Sequence, residues 1–460
     1  MPFLLRDYQD ALVRRTREAF ASGHKGVCLN SPTGSGKAVI AAHIMHASVN
    51  RGDTPWLLAH RRELLDQLTA TLAAEGCPYH VTSAGWQRQP GETPGKGVMV
   101  GSIPTITRRL TKLGKPPRFV VYDEAHHLAA NSWASIFKAN PRAFHLGLSA
   151  TPKRTDGSGL GSYFTKLIHG PQTRDLITIG ALAPFRLFAP PGVDMRGVHV
   201  RMGEFVAAEA QARVAKLTGD VVSHYKRLAP GKQALVFCVS RQHSREVVEA
   251  FNAAGIEARH IDGETDDTVR RLAVSDFREG RLRVLCNVDL FGEGVDLPNV
   301  DVLIMLAPTM SLIRYLQWVG RVLRPAPGKV ALILDHVENC VRHGLPDQIR
   351  EWTLEGPRER TTKEKETLLR IRVCPKCFAA QVPALACRYC GHSFEIKGRH
   401  IEQVDGELVE ILDTPPPHDP WGDEDSLRRM FAGKGMAPAM ASALARKTIA
   451  KRAQVAGRTV

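Results

Sequence analysis

Short apolar segments alternate with longer amphipathic segments from residue 26 onward. The apolar segments predict four strands, namely GVCLN, PWLLAH, FVVYDEAHH and FHLGLSATP. The amphipathic segments after the first two strands predict helices, namely GKAVIAAHIMHASV and RRELLDQLTATLAAEG. Strands that alternate with helices pair in parallel, because each helix carries the chain back across the sheet. The pattern therefore predicts a doubly wound α/β domain over residues 1–172.

A second series of strands and helices follows, with the same alternation. The predicted strands are KQALVFCVS, EARHID, RLRVLCNV, VDVLIMLA and KVALILDH. The predicted helices are RQHSREVVEAFNAAG, DTVRRLAVSDFREG and SLIRYLQWVGRVL. This series predicts a second α/β domain over residues 173–355. The segment APFRLFAPPGVDM lies between the two series and is rich in proline, so we expect it to be a connector rather than a core strand.

Beyond residue 355 the alternation ends and the composition changes. Residues 356–370 are highly charged and predict a solvated helix or linker, residues 371–398 contain clustered cysteines, and residues 399–460 form a tail. From Ser426 onward the tail has eight lysine or arginine residues and no acid. We expect the tail to be partly helical with a basic, solvated face, in preference to an arm dedicated to nucleic acid.

The composition of the chain changes the picture in two respects. No apolar run has the length of a membrane span, and charges interrupt the N-terminal segment MPFLLRDYQDALV where a secretory signal needs a continuous apolar core. We therefore expect a cytoplasmic protein with no membrane partner. The net charge of +15 favours a polyanionic partner such as nucleic acid, although a basic surface is equally compatible with simple solvation.

The segment SPTGSGKAVI, residues 31–40, has the order of strand, glycine-rich loop and helix that a phosphate site requires. Glycines allow backbone N–H groups to converge on phosphate oxygens, and a lysine at the start of the helix reaches the outer phosphates. The residues predicted to hold the nucleotide here are Thr33, Gly34, Ser35, Gly36, Lys37 and Ala38. Ala38 stands where a hydroxyl normally contacts magnesium, so we expect water to replace that hydroxyl.

Two acids follow the apolar strand FVVY. Asp123 and Glu124 come at its carboxyl end, which is the edge of a parallel sheet where ligands bind. Asp123 is predicted to hold magnesium, through water, and Glu124 to orient or deprotonate an attacking water. A phosphate loop followed at this distance by an acidic pair indicates a nucleotide-hydrolysing site.

The chain resembles the superfamily 2 helicases of the DEAH type. DEAH stands at 123–126 and SAT at 149–151, and the likeness extends through both halves. The other matching segments are RDYQ at 6–9, AHRREL at 59–64, GSIPTI at 101–106, VDLFGEGVD at 288–296 and QWVGRVLR at 317–324. Val288 replaces a threonine that is common in the family. The resemblance implies two tandem RecA-like doubly wound parallel-sheet domains, to which the cysteine spacing described below adds a small C-terminal zinc-binding module.

The resemblance also implies roles for individual residues. Gln9 would read the adenine with Arg6 or Tyr8 beside it, and Asp296 would contact the nucleotide. Arg321 and Arg324 would reach from the second domain to the phosphates as catalytic residues beside Lys37 and the acidic pair. The residues expected to couple the nucleotide to the nucleic acid are His126, Ser149, Thr151, Gly294 and Gln317. The residues expected to contact the nucleic-acid backbone are Arg61, Ser102 and Thr105.

The implied activity is an ATP-dependent helicase or translocase that uses ATP and magnesium between its two domains to move along a strand. DNA is favoured over RNA as the partner, and a role in DNA repair is among those implied. Two alternatives stay open, namely a nucleic-acid-binding protein whose Ala38 site hydrolyses weakly or not at all, and a duplex remodeller that separates no strands. RNA also stays open, because contacts to the backbone identify the sugar poorly.

Four of the nine cysteines form two CxxC pairs in the segment CPKCFAAQVPALACRYCGHSF. Two such pairs supply the four thiolates that a structural zinc ion prefers, so the predicted zinc ligands are Cys374, Cys377, Cys387 and Cys390. Disulfides and an iron–sulfur cluster are less favoured alternatives. The remaining cysteines are single and predict buried free thiols.

The purpose of the cysteine module is open between nucleic-acid contact and protein docking. Its charged and aromatic side chains are suited to contacts with nucleic acid, namely Lys376, Phe378, Arg388 and Tyr389. A four-cysteine module behind a two-domain motor resembles the bacterial RadD-like branch, similar chains of which occur in prophages.

Overall fold

The fold was analysed in a computed structural model. It describes residues 3–60, 62–129, 131–153, 159–189, 195, 197–201, 204–214, 218–288, 290, 297, 300–355, 371–394, 427–428 and 438–455. The chain divides into two compact units, Met1–Ile396 and Lys397–Val460. The first unit contains two α/β lobes and the cysteine segment.

Lobe 1 is built around a sheet of seven strands. These are β1 (Gly26–Asn30), β2 (Trp56–Ala59), β3 (Tyr79–Thr82), β4 (Val98–Ser102), β5 (Phe119–Tyr122), β6 (Phe144–Ser149) and β7 (Lys166–His169). Their order across the sheet is β3-β4-β2-β5-β6-β1-β7, and every neighbouring pair is parallel. The sequence pattern predicted β1, β2, β5 and β6 and missed the other three.

Helices cover both faces of this sheet. They are α1 (Asp7–Ala21), α2 (Lys37–Val49), α3 (Arg62–Ala74), α4 (Ile103–Arg109) and α5 (Asn131–Ala139), with short 3-10 turns at Leu110–Lys112 and Ala125–Ala129. Alternate strand residues enter two different cores: Val27 and Leu29 pack with residues of α1 to α3, whereas Cys28 packs with residues of α4 and α5. Alternation along each strand thus buries both faces, as a doubly wound sheet requires.

Lobe 2 contains a second all-parallel sheet. Its strands are β8 (Phe185–Phe188), β11 (Ala234–Phe237), β12 (Ala258–Ile261), β13 (Val284–Asn287), β14 (Val302–Met305) and β15 (Ala331–Asp335). Their order is β12-β13-β11-β14-β15-β8. A small antiparallel hairpin lies between β8 and β11 in sequence and is formed by β9 (Val200–Arg201) and β10 (Glu204–Phe205).

The helices of lobe 2 connect these strands. They are α6 (Thr173–Thr178), α7 (Ala207–Val214), α8 (Thr218–Leu228), α9 (Arg241–Ala253), α10 (Asp267–Arg278), α11 (Leu312–Val322) and α12 (Asn339–His343). Most of them carry side-chain caps or amphipathic faces; α10, for example, is capped by Asp266, whose carboxylate accepts from the N–H of Thr268 and of Val269. The two parallel-sheet α/β domains predicted from the pattern are confirmed, while their boundaries at 172 and 355 remain predictions.

The expectation that APFRLFAPPGVDM is only a connector is wrong. Its residues Phe185–Phe188 form β8, which pairs with β15 at the edge of the lobe 2 sheet. Leu187 and Phe188 are buried there. The prolines lie outside the strand, at 184 and 190, and an edge position tolerates proline beside a strand. Proline content therefore marked the limits of a strand rather than its absence.

The cysteine segment forms a two-stranded antiparallel sheet of β16 (Arg372–Val373) and β17 (Ala380–Gln381). The second unit contains α13 (Pro438–Val455), and the Nε of Arg428 donates to the Oγ of Ser442 on this helix at 2.7 Å, while the predicted bounds of the tail, 399–460, remain a prediction. The predicted charged linker at 356–370 lies outside the described residues. Within the described ranges, every helix is too short or too polar to cross a bilayer.

Candidate nucleotide site and four-cysteine cluster

The loop between β1 and α2 has the backbone that close contact with phosphate requires. Gly34 and Gly36 have φ of +87° and +83°, in the left-handed region that favours glycine. A Cβ at Gly36 would lie 2.4 Å from the Nε2 of Gln9, and a Cβ at Gly34 would lie 2.9 Å from the Cδ2 of Leu182 in lobe 2. The loop therefore packs tightly against the N-terminal segment on one side and against lobe 2 on the other.

The N-terminal segment predicted to read adenine lies directly on this loop. The hydroxyl of Tyr8 donates to the backbone oxygen of Ser35 at 2.7 Å, and the Nε2 of Gln9 donates to the same oxygen at 3.3 Å. Gln9 also accepts from the backbone N–H of Arg6, while the Nη1 of Arg6 donates to the backbone oxygen of Ala181 at 3.4 Å. The structure thus brings Arg6 and Gln9 together with the glycine loop.

Lys37 is turned into the loop. It is 8% exposed, and its Nζ donates to the backbone oxygens of Ser31 and Pro32 at 3.0 and 3.3 Å. Burial lowers the pKa of Lys37, and the carboxylates of Glu124 and Asp123 oppose this change. The lysine charge therefore faces both predicted catalytic acids.

The acidic pair Asp123 and Glu124 directly follows β5, and the backbone of Glu124 is strained. The N–H of Asp123 still donates to Leu58 on β2 at 2.9 Å, so the sheet holds this residue, whereas Glu124 has a φ of +51°. A non-glycine residue in the left-handed region stores strain, and such residues cluster at functional sites. Burial, together with the neighbouring charge of Glu124, raises the pKa of Asp123 to about 7. A cation bound beside the pair would favour the charged carboxylates.

A chain of polar contacts joins the acidic pair to the predicted SAT segment. The Nδ1 of His126 lies 3.4 Å from the Oε2 of Glu124 and 3.4 Å from the Oγ of Ser149. Ser149 in turn donates to the backbone oxygen of Thr151 at 2.8 Å and accepts from its N–H at 3.1 Å. The three predicted coupling residues of lobe 1 therefore form one buried network that ends at Glu124.

Asn30 belongs to the same network and was missed by the sequence analysis. Its Nδ2 donates to the backbone oxygens of Ala150 and Ser149 at 2.8 and 3.3 Å, and the N–H of Ser31 donates to Ser149 at 3.1 Å. The available signal was an asparagine at the end of a fully apolar strand. Asn30 fixes the start of the phosphate loop to the SAT segment.

Lobe 2 presents α11 to the phosphate loop. A Cβ at Gly320 would lie 2.4 Å from the Cβ of Thr33, so the helix and the loop are in close contact. Arg321 is 6% exposed, and its positive charge adds to burial in lowering the pKa of Lys37. Gln317, on the same helix, is also buried. The predicted arginine Arg321 therefore faces the predicted phosphate site across the two lobes.

Arg324 has a different surrounding from Arg321. Burial and the charge of Arg278 lower the pKa of Arg324, and Arg324 contributes to the lowered pKa of Lys329. Its charged neighbours thus belong to its own lobe, and the structure places the two predicted arginines in different environments.

Several buried hydroxyl groups line the phosphate loop. Among the residues that the structure describes, the hydroxyl oxygens of Ser31, Thr33 and Ser35 are buried without a hydrogen-bond partner. Buried polar groups normally have partners, so a loop with three such hydroxyls fits phosphate oxygens and a hydrated cation. Ala38 adds no hydroxyl to this set. The chemistry of the loop therefore fits ATP and a divalent metal.

The residues predicted to contact nucleic acid lie at the carboxyl edge of the lobe 1 sheet. Ser102 donates to the Oγ1 of Thr105 at 2.8 Å, Ser83 donates to Ser102 at 3.1 Å, and Thr105 accepts from the N–H of Ala84 at 3.1 Å. The hydroxyls of Ser102 and Thr105 therefore order two loops at that edge. Three other predicted residues, Arg61, Gly294 and Asp296, lie outside the described residues.

The four sulfurs of the CxxC pairs converge on one point. Their Sγ atoms all lie within 4.8 Å of one another, with 3.6 Å between Cys374 and Cys390 and 3.6 Å between Cys377 and Cys387. A tetrahedral zinc ion with Zn–S bonds of ~2.3 Å separates its sulfurs by ~3.8 Å. All four cysteines are free thiols. The donor set therefore fits a tetrahedral zinc ion.

The two pairs form matching turns. Phe378 donates its N–H to the oxygen of Cys374 at 2.8 Å, and Gly391 donates its N–H to the oxygen of Cys387 at 2.9 Å. Phe378 and Gly391 both have positive φ, of 60° and 71°. The same turn thus presents the cysteines of each pair to the common centre.

The cysteine segment is packed onto lobe 2. Ala189 donates its N–H to the oxygen of Phe378 at 2.9 Å, and Phe188 forms a bridge with Ala379 beside the edge strand β8. Arg186 lies over the rings of Phe188 and Tyr389, at 5.1 and 5.4 Å from their centroids. The segment therefore covers the edge of the lobe 2 sheet.

Family models match both lobes. Residues 2–154 match the model for the type III restriction enzyme res subunit, and residues 216–326 match the model for the helicase conserved C-terminal domain. The chain belongs to the superfamily 2 helicases.

Within that class the chain is similar to a phage protein. The 51.5 kDa protein of Lactococcus phage (isolate 7-9) is 32% identical over 389 residues, which cover 83% of this chain and 82% of that protein. A Schizosaccharomyces pombe protein with the provisional name of mitochondrial ATP-dependent helicase irc3 is 29% identical over 361 residues. That match covers 74% of this chain and 58% of the longer yeast protein.

Two solved structures share the fold at low identity. The ATP-dependent type ISP restriction-modification enzyme LlaBIII, bound to DNA, has a TM-score of 0.55 and 19% identity over 73% of this chain and 28% of its own. Saccharomyces cerevisiae Dbp5, bound to RNA and ADP BeF3, has a TM-score of 0.51 and 16% identity over 72% of this chain and 85% of its own. These likenesses establish two RecA-like lobes.

Proposed function

We propose that the protein is a nucleic-acid-dependent ATPase that moves along DNA as a helicase or translocase. The observation that carries this proposal is the position of Arg321, whose charge reaches Lys37 across the contact between α11 and the phosphate loop. A nucleotide between two lobes that each supply a cation would couple its hydrolysis to their relative movement. That coupling is the basis of movement along a strand.

The roles of the site residues follow from their positions. Arg6 and Gln9 would contact the base, and Lys37 with the loop Thr33–Gly36 would hold the phosphates. Glu124 would orient or deprotonate the attacking water, helped by the contact of its Oε2 with His126. Arg321 would stabilise negative charge that develops on the transferred phosphoryl group, and Arg324 would support it from within lobe 2.

A divalent metal, when bound, would neutralise phosphate charge beside the acidic pair. Asp123 would hold this metal through water, since β5 and β2 keep its backbone in place. Because Ala38 carries no hydroxyl, water would also take the position that a hydroxyl occupies in most phosphate loops. This arrangement would weaken metal binding without preventing hydrolysis.

Three features support DNA as the partner. The net charge of +15 favours a polyanion, residues 2–154 match a restriction-enzyme family, and LlaBIII was solved with DNA. Movement along the strand would use Ser102, Thr105, Arg61 and the opposing residues of lobe 2, with His126, Ser149, Thr151, Gly294 and Gln317 linking grip to nucleotide. We place the chain in the RadD-like branch on the four-cysteine segment that follows its two lobes.

The cysteine segment would bind zinc as a structural ion. Four thiolates leave no open position for catalysis, and most of the segment's packing is directed at lobe 2. We propose that the metal secures this segment against β8.

The proposal is tested by measuring ATP hydrolysis with single-stranded, duplex, forked and RNA ligands at several salt concentrations. We expect hydrolysis that DNA stimulates, with a stimulation that weakens as salt rises. Lys37→Ala and Glu124→Gln should abolish it. DNA binding without hydrolysis would indicate a binding scaffold instead, and stimulated hydrolysis without strand displacement would indicate a translocase or remodeller.

A further inference from the structure

A row of three imidazole rings that are tilted against one another, termed the stack, connects two segments of lobe 1 to which the proposed function gives roles. The ring centroids of His60 and His127 lie 4.4 Å apart, and those of His127 and His126 lie 4.2 Å apart. Trp133 on α5 flanks the stack, with its ring 6.4 Å from that of His60 and 6.0 Å from that of His127. Three imidazoles thus form a continuous path from the end of β2 to the turn that follows β5.

The two ends of this path have different partners. At one end, His126 lies within 3.4 Å of both Glu124 and Ser149, which belong to the catalytic and coupling network. At the other end, His60 directly precedes Arg61 in the segment 59–64 that is proposed to contact the nucleic-acid backbone. His127 is the ring that joins the two ends.

The stack differs from ordinary core packing. Neighbouring core positions of lobe 1 are filled by apolar side chains such as Leu128 and Ile136, which are fully buried. His60 and His127 are half-buried and place polar rings in contact, although apolar side chains would fill the same space at a lower desolvation cost. Packing alone therefore does not account for three imidazoles in series.

We propose that His127 is a positioning residue that transmits engagement of nucleic acid at segment 59–64 to Glu124 by way of His126. This inference rests on the proposed function. Protein interiors are close-packed, so a displacement of His60 when segment 59–64 binds must move the ring of His127 and then that of His126. Glu124 has a strained backbone, and a small change at its His126 contact therefore alters how its carboxylate is held.

The test compares His127→Ala with His127→Phe, because phenylalanine keeps a ring in the stack. We expect His127→Ala to lower DNA-stimulated turnover by about fivefold or more while ATP hydrolysis without DNA stays within about twofold of the wild type. Affinity for a labelled single strand and the KM for ATP should not change. His127→Phe should recover at least about half of the stimulation.

Phe137→Leu is the matched control. Phe137 is also half-buried in lobe 1 and stacks on His145 with centroids 3.9 Å apart, but it has no place in the path to Glu124. We expect this variant to keep its stimulation by DNA even if its stability falls. Equal losses of stimulation in Phe137→Leu and His127→Ala would show general weakening of lobe 1 and would overturn the inference.

A double-mutant cycle with His60→Ala tests the path itself. If His60 acts through His127, the double variant should lose no more stimulation than the more impaired single variant. Additive losses would contradict a common path. A wild-type protein that no nucleic acid stimulates would refute the proposed function, whereas a stimulated wild type matched by His127→Ala would refute this inference alone.

Discussion

The two lobes share an all-parallel sheet but contribute to the site in different ways. Lobe 1 places its functional groups on loops at the carboxyl ends of strands, and backbone hydrogen bonds hold them, as between Asp123 and Leu58. Lobe 2 contributes Arg321 from α11, a single helix pressed against the loop at Thr33. Under the proposed function, lobe 1 would hold the nucleotide in fixed loops, and lobe 2 would supply a charge that movement of the lobes brings to the nucleotide or withdraws from it.

The edges of the two sheets differ as well. In lobe 1 the edge strand β7 begins with the exposed Lys166 and ends with the exposed His169, while Ile168 between them is buried. In lobe 2 the edge strand β8 has the cysteine segment along it. Charged side chains and a covering segment are two ways of preventing unwanted strand pairing.

The largest effect is expected from a substitution that removes the cation contributed by lobe 2. Arg321→Ala should lower kcat by roughly a thousandfold, because charge stabilisation by an arginine across the nucleotide is worth that much. ATP affinity, measured with a fluorescent analogue, should change far less. Arg324→Ala is the paired variant, and its smaller loss would follow from its neighbours Arg278 and Lys329. Equal losses in the two variants would show that lobe 2 uses both arginines directly.

Removal of zinc should lower the thermal stability of lobe 2 more than that of lobe 1. Stripping zinc with a chelator should lower the melting temperature of lobe 2 by more than about 5 °C, because β8 would lose its cover, and should leave lobe 1 near its original value. Hydrogen exchange resolved by segment would assign the change. Cys374→Ser combined with Cys387→Ser should mimic the chelator and make it ineffective. A chelator effect confined to residues 371–394 would mean that the metal does not support lobe 2.

A smaller effect is expected from a substitution in the contact that fixes the start of the phosphate loop in lobe 1. Asn30→Ala should destabilise lobe 1 by about 1–3 kcal/mol, because the backbone oxygen of Ala150 would lose the amide donor and that of Ser149 would keep only the N–H of Ser31. Urea denaturation would measure this change. Asn287→Ala is the counterpart in lobe 2, where the amide donates to Val236 at 2.8 Å. Only Asn30→Ala should also impair ATP hydrolysis, and unimpaired hydrolysis would show that the contact is purely structural.

The smallest effect concerns the absent hydroxyl. Ala38→Thr should lower the magnesium concentration for half-maximal hydrolysis by a few-fold, since a threonine hydroxyl would replace a bound water. Titrating magnesium at saturating ATP measures it, with Ala38→Val as the control for side-chain size. An unchanged requirement in a hydrolysing protein would mean that water already serves equally well.

Much of the fold was predictable from the alternation of short apolar segments with amphipathic segments, because strands that are buried on both faces appear in the sequence as short apolar runs. Strand β1 was predicted with its observed bounds, Gly26–Asn30, and every residue in it is buried. The edge strands were harder. Strand β7 exposes half its side chains, and the prolines around β8 concealed a strand that is held by its neighbours in space.

The candidate site likewise combines motifs that the sequence predicts with contacts that it does not predict. The glycine loop and the acidic pair carry a local signal, since each needs particular residues at fixed spacing. The contacts of Arg6 with Ala181 and the stack of His60 on His127 join residues that are distant in sequence. The periodicity of apolar residues does not predict such contacts. The different surroundings of Arg321 and Arg324 likewise depend on how α11 packs.

The position of β8 also affects the order of folding during synthesis. It is the first strand of lobe 2 to leave the ribosome, yet it pairs with β15, the last, and is covered by residues made later still. The sheet of lobe 1 can close as soon as β7 has been made, whereas the sheet of lobe 2 can close only after β15, and its edge strand is covered only once the cysteine segment has been made. A nascent chain that stalls before residue 371 would present an uncovered strand edge, and such an edge is where chains aggregate.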